Sequence, residues 1–316
     1  MIHVLLPPIH TRPTGGNLYN ERLLAALSRS TEVRRHFSVP EKQEGDWLVD
    51  SLLIDAPVDG AILLAHYLHL IDPAHRHGGK AALERRHLAR YRGAIATSEY
   101  ARDAIDGLPA VAIPPGLDDR YRAEVSPRRN ATPRIVTVAN FFPDKGLVEA
   151  IGVLESIRDL QWEWHLAGDA SLHDTYPEVF RERLARSPIA SRVRVHGTVA
   201  PAEVQALYDR ADIFLLLARF ETCSMVTREA MARALPVVAY PAGGLASNLP
   251  PETQYLLAGA DDGEAIAATL RRLLRDDEER AAAGRANRDA AMRFPTWDDA
   301  ARALLAFLST MRAFRP

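Results

Sequence analysis

Short apolar runs alternate with longer amphipathic stretches along most of the chain. An apolar run of about four to six residues has the length of a buried parallel strand and is too short for a helix. Such runs predict strands at 3–6, 33–39, 61–65, 94–97, 134–139, 162–167, 193–196, 213–217 and 235–239. The amphipathic stretches predict helices at 18–27, 47–54, 80–91, 147–160, 177–186, 202–208, 224–234, 264–274, 277–293 and 297–311. The alternation indicates an α/β fold with parallel sheets.

The pattern is interrupted once, at the polar stretch 124–133. This stretch contains two prolines and the basic pair Arg128–Arg129, a composition typical of a linker. Because a new α/β pattern begins directly after it, the sequence predicts two doubly wound, Rossmann-like domains, at 1–125 and 126–296.

Composition excludes several classes of protein. The net charge of -2 gives no reason to expect a nucleic-acid partner. The single cysteine, Cys223, excludes an intramolecular disulfide and a zinc–cysteine cluster, and it fits a reducing compartment. The opening MIHVLLPP predicts a strand rather than a signal peptide, and no apolar run approaches the ~20 residues of a membrane span. We therefore expect a cytoplasmic protein.

Polar residues collect at one end of the βαβ unit predicted over 211–244. Glu221 lies in the loop after the strand 213–217, and Glu229 lies eight positions later inside the next helix. The amino terminus of that helix offers N–H groups and partial positive charge, which suit a phosphate. A carboxylate deeper in the site suits ribose hydroxyls, although Glu229 can equally be read as an ordinary helix-surface residue. In open α/β sheets this carboxyl edge is where ligands bind.

A second phosphate-binding loop is predicted earlier in the same domain. Lys145 lies in the segment NFFPDKG between a strand and a helix, from which a lysine can reach a bound diphosphate. The alternative interpretation is a solvated loop lysine.

Histidines follow the apolar strand 61–65 in the first domain. His66 comes directly after it and is expected to project from the carboxyl end of the sheet, with His69 as the competing candidate. A histidine that merely ends the strand is the alternative. His66, His69, His75 and His77 could be read as a metal cluster, but only Asp72 is available to complete one. No metal site is predicted.

The segment Glu221-x7-Glu229, with Ala230-Met231-Ala232 and Pro236-Val237-Val238-Ala239, resembles the motif of retaining GT-B glycosyltransferases of family 4, glycosyl transferases group 1. The resemblance implies a GT-B fold with two Rossmann-like domains facing across a cleft. It assigns the acceptor to 1–125 and the nucleotide sugar to 126–296. It also implies that the last helix, within 297–316, packs back on the first domain.

The resemblance also implies roles for individual residues. Glu229 would bind the ribose, and Glu221 would lie beside the donor sugar and the leaving diphosphate. His66, Lys145 and Glu221 are the expected catalytic residues, and His69 and Ser98, a good helix N-cap, are expected on the acceptor side. The remaining residues expected to contact the donor are Gly15, Gly16, Asn140, Gly168, Gly197, Thr222, Cys223, Ser224, Met225 and Val226.

Several positions depart from the family pattern. Asn140 stands where an arginine is usual, so one of two expected cations is missing and Lys145, a helix dipole or another arginine such as Arg219 must neutralise the diphosphate. The other departures are Cys223-Ser224 for Phe-Gly, Ala170 and Ala234 for glycines, and Ser247 for a glutamate. They leave the sugar specificity open.

The sequence thus predicts a retaining hexosyltransferase that needs no metal and no cofactor. It would move a sugar from a UDP- or GDP-sugar to a hydroxyl of a saccharide, a lipid-linked molecule or a small molecule. Asp-x-Asp, Walker A and Gly-x-Gly-x-x-Gly motifs are absent from the sequence, which disfavours metal-dependent transferases, kinases and dinucleotide enzymes. A non-catalytic nucleotide-sugar-binding subunit and another enzyme on this fold, such as an epimerase or phosphorylase, remain alternatives. A peripheral position at a membrane and the oligomeric state are left open.

Overall fold

A computed structural model of the protein describes residues 1–126, 128 and 130–313. The chain forms two compact units. Unit 1 comprises Met1–Leu117 and the chain from Pro295 onward, and unit 2 comprises Asp118–Phe294. Of the predicted linker, Pro127 and Arg129 lie outside the described residues, as do the last three residues of the predicted segment 297–316.

The division falls at 117/118 rather than at 125/126 because the start of the predicted linker is bonded to unit 2. The buried guanidinium of Arg233 donates to the carbonyl oxygens of Tyr121, Ala123 and Glu124. These bonds hold the segment against the body of unit 2.

The strands are short and lie close to the apolar runs of the sequence. They are β1 Ile2–Leu5, β2 Val33–His36, β3 Asp46–Asp50, β4 Ile62–Ala65, β5 Gly93–Ala96, β6 Ala110–Ala112, β7 Arg134–Val138, β8 Glu163–Ala167, β9 Val193–Gly197, β10 Ile213–Leu216 and β11 Val237–Ala239. The helices are α1 Gly15–Leu27, α2 Gly79–Leu88, α3 Glu99–Asp103, α4 Asp119–Arg122, α5 Leu147–Ser156, α6 Tyr176–Ala185, α7 Pro201–Arg210, α8 Met225–Ala232, α9 Gly263–Arg275, α10 Asp277–Ala291 and α11 Trp297–Ala313.

Each unit contains one parallel sheet. The order in unit 1 is β2-β1-β3-β4-β5-β6, and the order in unit 2 is β11-β10-β7-β8-β9. Because all strands of a sheet run the same way, the loops after them meet at one carboxyl edge. The predicted α/β class with two parallel sheets is confirmed.

The helix predicted over 47–54 is wrong, because this segment forms β3 and a short 3₁₀ turn at Ser51–Leu53. Its apolar run is only three residues long, between Asp46 and Asp50, so it did not have the length of a strand. Both carboxylates are nevertheless buried. Asp46 is paired with Arg92 and Arg312, and Asp50 accepts a hydrogen bond from the amide of Leu52. β3 therefore lies inside the sheet, between β1 and β4.

The last helix, α11, packs against α1 within unit 1. Its apolar side chains recur at helical spacing, and Trp297, Leu304 and Leu308 are buried. The Trp297 ring meets Tyr19 edge to face, with ring centroids 5.6 Å apart. Within the described part of the chain, no helix is both long and apolar enough to cross a bilayer.

Candidate active site

The carboxyl edge of the unit 2 sheet gathers most of the residues predicted to contact a nucleotide sugar. Asn140 and Lys145 follow β7, Gly168 follows β8, and Gly197 is the last residue of β9. Glu221 follows β10, which is the neighbour of β7 in the sheet. Since β10, β7, β8 and β9 are adjacent and parallel, these loops lie side by side.

Close backbone approaches hold these loops together. A Cβ on Gly168 would lie 1.8 Å from the carbonyl oxygen of Ala139, and one on Gly146 would lie 2.2 Å from that of Leu217. Gly243 approaches Glu221 in the same way, and the amide of Gly244 donates to the Glu221 carbonyl at 2.8 Å. Any side chain at these glycines would force the strands' loops apart.

Lys145 and Glu221 form the central ion pair of this edge. The Nζ of Lys145 lies 3.0 Å from Oε1 of Glu221 and 3.3 Å from Oδ2 of Asp144. The lysine side chain is 22% exposed and the Glu221 side chain 15% exposed. Burial alone would lower the pKa of Lys145, but the two carboxylates outweigh it and raise the pKa above its ordinary value. The ammonium is therefore charged and reachable at neutral pH.

The helix α8 begins at Met225, in the segment that follows Glu221. Ser224 precedes it in the left-handed conformation, with φ 62°, and its hydroxyl pairs with that of Thr227 at 2.8 Å. Within the described residues, the Ser224 side chain makes no capping bond to the first amides of α8. A helix start of this kind suits an anionic ligand, because its N–H groups point outward along the helix dipole. Thr222, Met225 and Val226 are partly exposed there, whereas Cys223 is buried.

Glu229 lies on α8 beside two tyrosines of unit 2. The Tyr208 hydroxyl donates to Oε2 of Glu229 at 3.2 Å, and the Tyr121 hydroxyl also bonds to this carboxylate. Burial, together with the Glu229 carboxylate, raises the pKa of both phenols above the ordinary value. The phenols thus stay protonated and hold a half-buried carboxylate in place.

Asn140, which stands where the family usually has an arginine, connects two loops of unit 2. The Oδ1 of Asn140 accepts a hydrogen bond from the amide of Asp169 at 3.0 Å, so this side chain joins the loops after β7 and β8. The guanidinium of Arg219 lies 2.9 Å from Asp261 and 3.7 Å from Glu149. Arg219 is therefore engaged with carboxylates, and Lys145 is the cation paired with Glu221.

Cys223 is not arranged as a nucleophile. Burial raises the pKa of its thiol, and its Sγ lies 4.0 Å from the guanidinium of Arg228. Arg228 is itself buried, with its guanidinium carbon 3.9 Å from the centre of the Phe294 ring. These side chains pack together beneath the first turn of α8 and are not presented to a ligand.

In unit 1, His66 follows β4 and lies at the carboxyl edge of that sheet. Its Nε2 is 2.8 Å from Oδ1 of Asn20, and the Nδ2 of Asn20 donates to Oδ2 of Asp50 at 2.6 Å. The His66 side chain packs against Gly16, since a Cβ on Gly16 would lie 3.2 Å from its Cβ, Cγ and Cδ2, while Gly15 is exposed at the start of α1.

The two residues expected on the acceptor side have structural partners in unit 1. The Nδ1 of His69 lies 2.8 Å from Oε1 of Glu84, which also accepts from the His69 amide. The Ser98 hydroxyl accepts from the amide of Ala101 and so caps α3. Among the described residues, no group of three or more His, Cys, Asp or Glu side chains could hold a metal ion, the histidines at 66, 69, 75 and 77 included.

Four residues that the sequence did not identify contact the predicted ones. Tyr121 and Tyr208 hold Glu229, and Asn20 and Asp50 hold His66. No pattern identifies Asp50, because the apolar run WLV before it is shorter than a typical strand. The tyrosines lie in elements far from Glu229 in sequence, and no local pattern identifies them.

Known proteins are similar to this chain in the segment that forms the edge. The family model of glycosyl transferases group 1 matches residues 132–276, which include Lys145, Glu221 and Glu229. Sulfoquinovosyl transferase SQD2 of Arabidopsis thaliana is 29% identical over 170 residues, which are 52% of this chain and 33% of that protein. A GDP-mannose-dependent alpha-(1-6)-phosphatidylinositol monomannoside mannosyltransferase of Mycobacterium tuberculosis is 27% identical over 215 residues, 62% of this chain and 54% of that one. The chain thus spans about half or less of the length of the curated relatives it matches.

The fold agrees over the whole chain. The structure of a sucrose-phosphate synthase from Thermosynechococcus elongatus superposes with a TM-score of 0.81 at 17% identity, covering 100% of both chains. Such neighbours are GT-B glycosyltransferases, so the predicted GT-B class is confirmed. The names of the relatives agree with the predicted class of enzyme. The match of residues 132–276 to the model of glycosyl transferases group 1 agrees with the family that the sequence resembles.

Proposed function

We propose that the protein is a retaining glycosyltransferase that uses a nucleotide-diphosphate sugar and needs no metal ion. One observation carries the proposal. Lys145, paired with Glu221 at 3.0 Å, lies at the same sheet edge as the start of α8 and Glu229, within the residues that match the family. This edge offers a cation and helix amides for a diphosphate and a fixed carboxylate for a ribose.

Each group has a role that its surroundings support. Lys145 contacts the diphosphate, and the amides of residues 222–226 face the phosphate and sugar oxygens. Glu229, held by Tyr208, accepts hydrogen bonds from the ribose hydroxyls. Gly197 leaves room for the nucleotide, because no atom lies within 4 Å of where its Cβ would stand, whereas Gly168 lets its loop pass close to the Ala139 carbonyl. Glu221 supplies a counter-charge for Lys145 until the diphosphate binds.

The proposed reaction is a front-face substitution at the anomeric carbon. The bond from this carbon to the diphosphate oxygen breaks, and a bond to the acceptor oxygen forms on the same face. The acceptor's proton passes to the leaving diphosphate oxygen. Charge on the leaving group grows in the transition state, so Lys145 and the α8 amides stabilise that state more than the ground state. His66, in unit 1, orients the sugar or the acceptor hydroxyl.

The proposed contacts determine the ribose and diphosphate of the donor, but they do not determine its base or its sugar. The mycobacterial relative is named for GDP-mannose, and the ribose and diphosphate contacts proposed here suit any nucleotide sugar. We therefore propose a UDP- or GDP-sugar as donor. The acceptor is a hydroxyl of a saccharide, a lipid-linked molecule or a small molecule.

Thermal-shift measurements with UDP-, GDP- and ADP-sugars test the proposed binding. The true donor should raise the melting temperature by mass action, and Glu229→Ala should remove the rise. Release of the nucleoside diphosphate should then require an acceptor, and it should continue in EDTA. Loss of release in EDTA, with recovery on adding magnesium or manganese, would contradict the metal-free mechanism.

A second candidate, a non-catalytic nucleotide-sugar-binding subunit, is favoured by Asn140. Asn140 stands where the family usually has a second cation for the diphosphate, and its side chain instead accepts a hydrogen bond from the Asp169 amide in the loop after β8. This candidate predicts donor binding without acceptor-dependent release of nucleoside diphosphate. The two candidates therefore separate at the release assay.

A further inference from the structure

A buried polar network lies at the carboxyl edge of unit 1, apart from the nucleotide-binding motif. It joins Asp50 at the end of β3, Asn20 on α1 and His66 after β4. Asn20 and Asp50 are each 2% exposed, and the His66 side chain is 10% exposed. Buried polar side chains far apart in sequence are costly to assemble, so their shared geometry needs a reason.

The hydrogen bonds fix which atoms carry protons. The carboxylate of Asp50 only accepts, and its Oδ1 already accepts from the amide of Leu52. Asn20 must therefore turn its NH₂ group toward Oδ2 of Asp50, at 2.6 Å. Its carbonyl oxygen then faces Nε2 of His66 at 2.8 Å, and a carbonyl oxygen can only accept. The proton of a neutral His66 is thus on Nε2.

The other ring nitrogen is left as an acceptor. Nδ1 of His66 is buried and has no hydrogen-bond partner among the residues that the structure describes. The ring itself cannot swing easily, because Gly16 packs against one part of it and the Tyr19 ring meets it edge to face at 5.0 Å. The amide of His66 is also tied, since it donates to Oγ of Ser51 at 3.2 Å.

The charge state agrees with this geometry. Burial lowers the pKa of His66 more than the Asp50 carboxylate raises it. The titratable side chains recorded around the ring are Asp50, whose Oδ2 is 3.6 Å from Nε2, and Tyr19, whose hydroxyl is bonded to the Ile113 carbonyl. A neutral ring is therefore the form present at neutral pH.

We propose that Asp50 and Asn20 are positioning residues that hold His66 as the neutral Nε2–H tautomer, which leaves Nδ1 as the acceptor for a substrate hydroxyl. The proposal rests on the proposed function, since it concerns how His66 orients the sugar or the acceptor. It adds two residues, on two different elements, to the groups on which turnover depends. Neither residue touches the substrate.

The tautomer is measured directly by ¹⁵N NMR on protein labelled at histidine. Protonated and bare ring nitrogens resonate at different frequencies, and His66→Gln identifies the His66 signals among those of the 11 histidines. In the wild type we expect a proton on Nε2 and none on Nδ1 throughout pH 6.5–8. A proton on Nδ1, or a charged ring at pH 7, would overturn the proposal.

Variants then test whether Asn20 and Asp50 fix the tautomer of His66. Asn20→Ala should leave a mixture of tautomers, and Asn20→Asp should raise the pKa of His66 because a second carboxylate then faces the ring. Asn17→Ala is the matched control: Asn17 is 3% exposed on the same helix, but its side-chain NH₂ donates to the carbonyls of Ile9 and Arg12. Its loss should leave the His66 signals unchanged. An unchanged tautomer in Asn20→Ala would contradict the proposal that Asn20 fixes it.

Kinetics separate positioning from simple support of the fold. Once a donor and an acceptor are known, Asn20→Ala should lower kcat about tenfold while the donor KM changes less than about twofold, a size common for groups that orient a functional side chain. Equal loss in Asn17→Ala would show a structural role and would overturn the proposal. If the wild type transfers no sugar, the proposed function fails, whereas the NMR result still decides whether Asp50 and Asn20 fix the tautomer.

Discussion

The carboxyl edges of the two sheets solve different physical problems. The unit 2 edge is built on charge: Lys145 and Glu221 face each other at 3.0 Å and remain partly exposed. The unit 1 edge surrounds a neutral ring: the His66 side chain is 10% exposed and is linked to Asp50 through the Asn20 amide. A partly exposed ion pair can exchange partners with a charged ligand, whereas a buried network keeps one arrangement.

The difference matches what each edge would handle. A diphosphate brings negative charge and leaves with more, so it needs a cation that water can reach before binding and that the ligand can cover afterwards. A hydroxyl brings no charge and needs one acceptor atom in a fixed place. The comparison predicts that variants in unit 2 change binding and turnover of a charged group, while variants in unit 1 change turnover with little effect on donor affinity.

The largest effect is expected for Lys145→Ala. The variant removes the cation that would offset the growing charge of the leaving diphosphate, so kcat should fall roughly 10²–10³-fold. Steady-state kinetics with a fixed acceptor measure this. Lys42→Ala, an exposed lysine of unit 1, is the control and should behave as wild type. A change confined to KM would mean that Lys145 only anchors the donor.

His66→Ala should lower turnover by about 10²-fold, the lower end of what a positioned acid–base group contributes. Donor affinity should hardly change, because Lys145 and Glu229, the proposed diphosphate and ribose contacts, belong to unit 2. Turnover and the donor dissociation constant, measured on the same preparation, check both statements. His69→Ala is the paired variant, since His69 is held by Glu84 instead. Normal turnover in His66→Ala with a large loss in His69→Ala would move the role to His69.

The two edges also differ in how much the sequence could predict. In unit 2, Glu221, Ser224 and Glu229 lie within one strand–loop–helix segment, and Lys145 lies in a loop of the same kind. Local spacing therefore places them at the same edge, and the βαβ pattern predicts the order of elements. The bonds from Tyr121 and Tyr208 to Glu229 depend on the packing of α4 and α7, which no local pattern contains.

In unit 1 the network of Asn20, Asp50 and His66 joins three separate elements, so only His66 was predictable. His66 follows an apolar strand and could be placed at the edge from the sequence. Asp50 was hidden because the segment 47–54 was predicted as a helix, and its strand has polar residues at both ends that the fold buries through partners. Whether a carboxylate is buried depends on a partner elsewhere in the chain, here Asn20 and the amide of Leu52.

Glu229→Ala should weaken donor binding by about 1.5–3 kcal/mol, the value of a charge-assisted hydrogen bond. Calorimetry with the donor found by thermal shift measures it. Tyr208→Phe sharpens the test, because it keeps the carboxylate but removes the hydroxyl that holds it at 3.2 Å. We expect a smaller loss of about 1 kcal/mol there. Unchanged affinity in a folded Glu229→Ala variant would exclude the ribose contact.

The smallest predicted effect concerns backbone strain, in which the two units also differ. Among the described residues, non-glycine residues with positive φ occur at Ser224, Ala234 and Asp261, all in unit 2. Ser224 and Ala234 occupy positions where the family usually has glycine. Ala234 follows the end of α8 with φ 55°, where the amide of Leu235 bonds to the Ala230 carbonyl. Glycine is the usual residue at such helix ends.

Ala234→Gly should therefore stabilise unit 2 by about 0.5–1 kcal/mol, because relief of the left-handed conformation exceeds the entropy that glycine loses on folding. The urea midpoint of unfolding measures it. Ala282→Gly, on the exposed face of α10, is the matched control and should destabilise by about 1 kcal/mol. Ser224→Gly gains the same relief but loses the bond from Ser224 to the Thr227 hydroxyl, so its net change should be close to zero. If Ala234→Gly destabilised the protein as much as Ala282→Gly, the strain at the end of α8 would not be a cost to the fold.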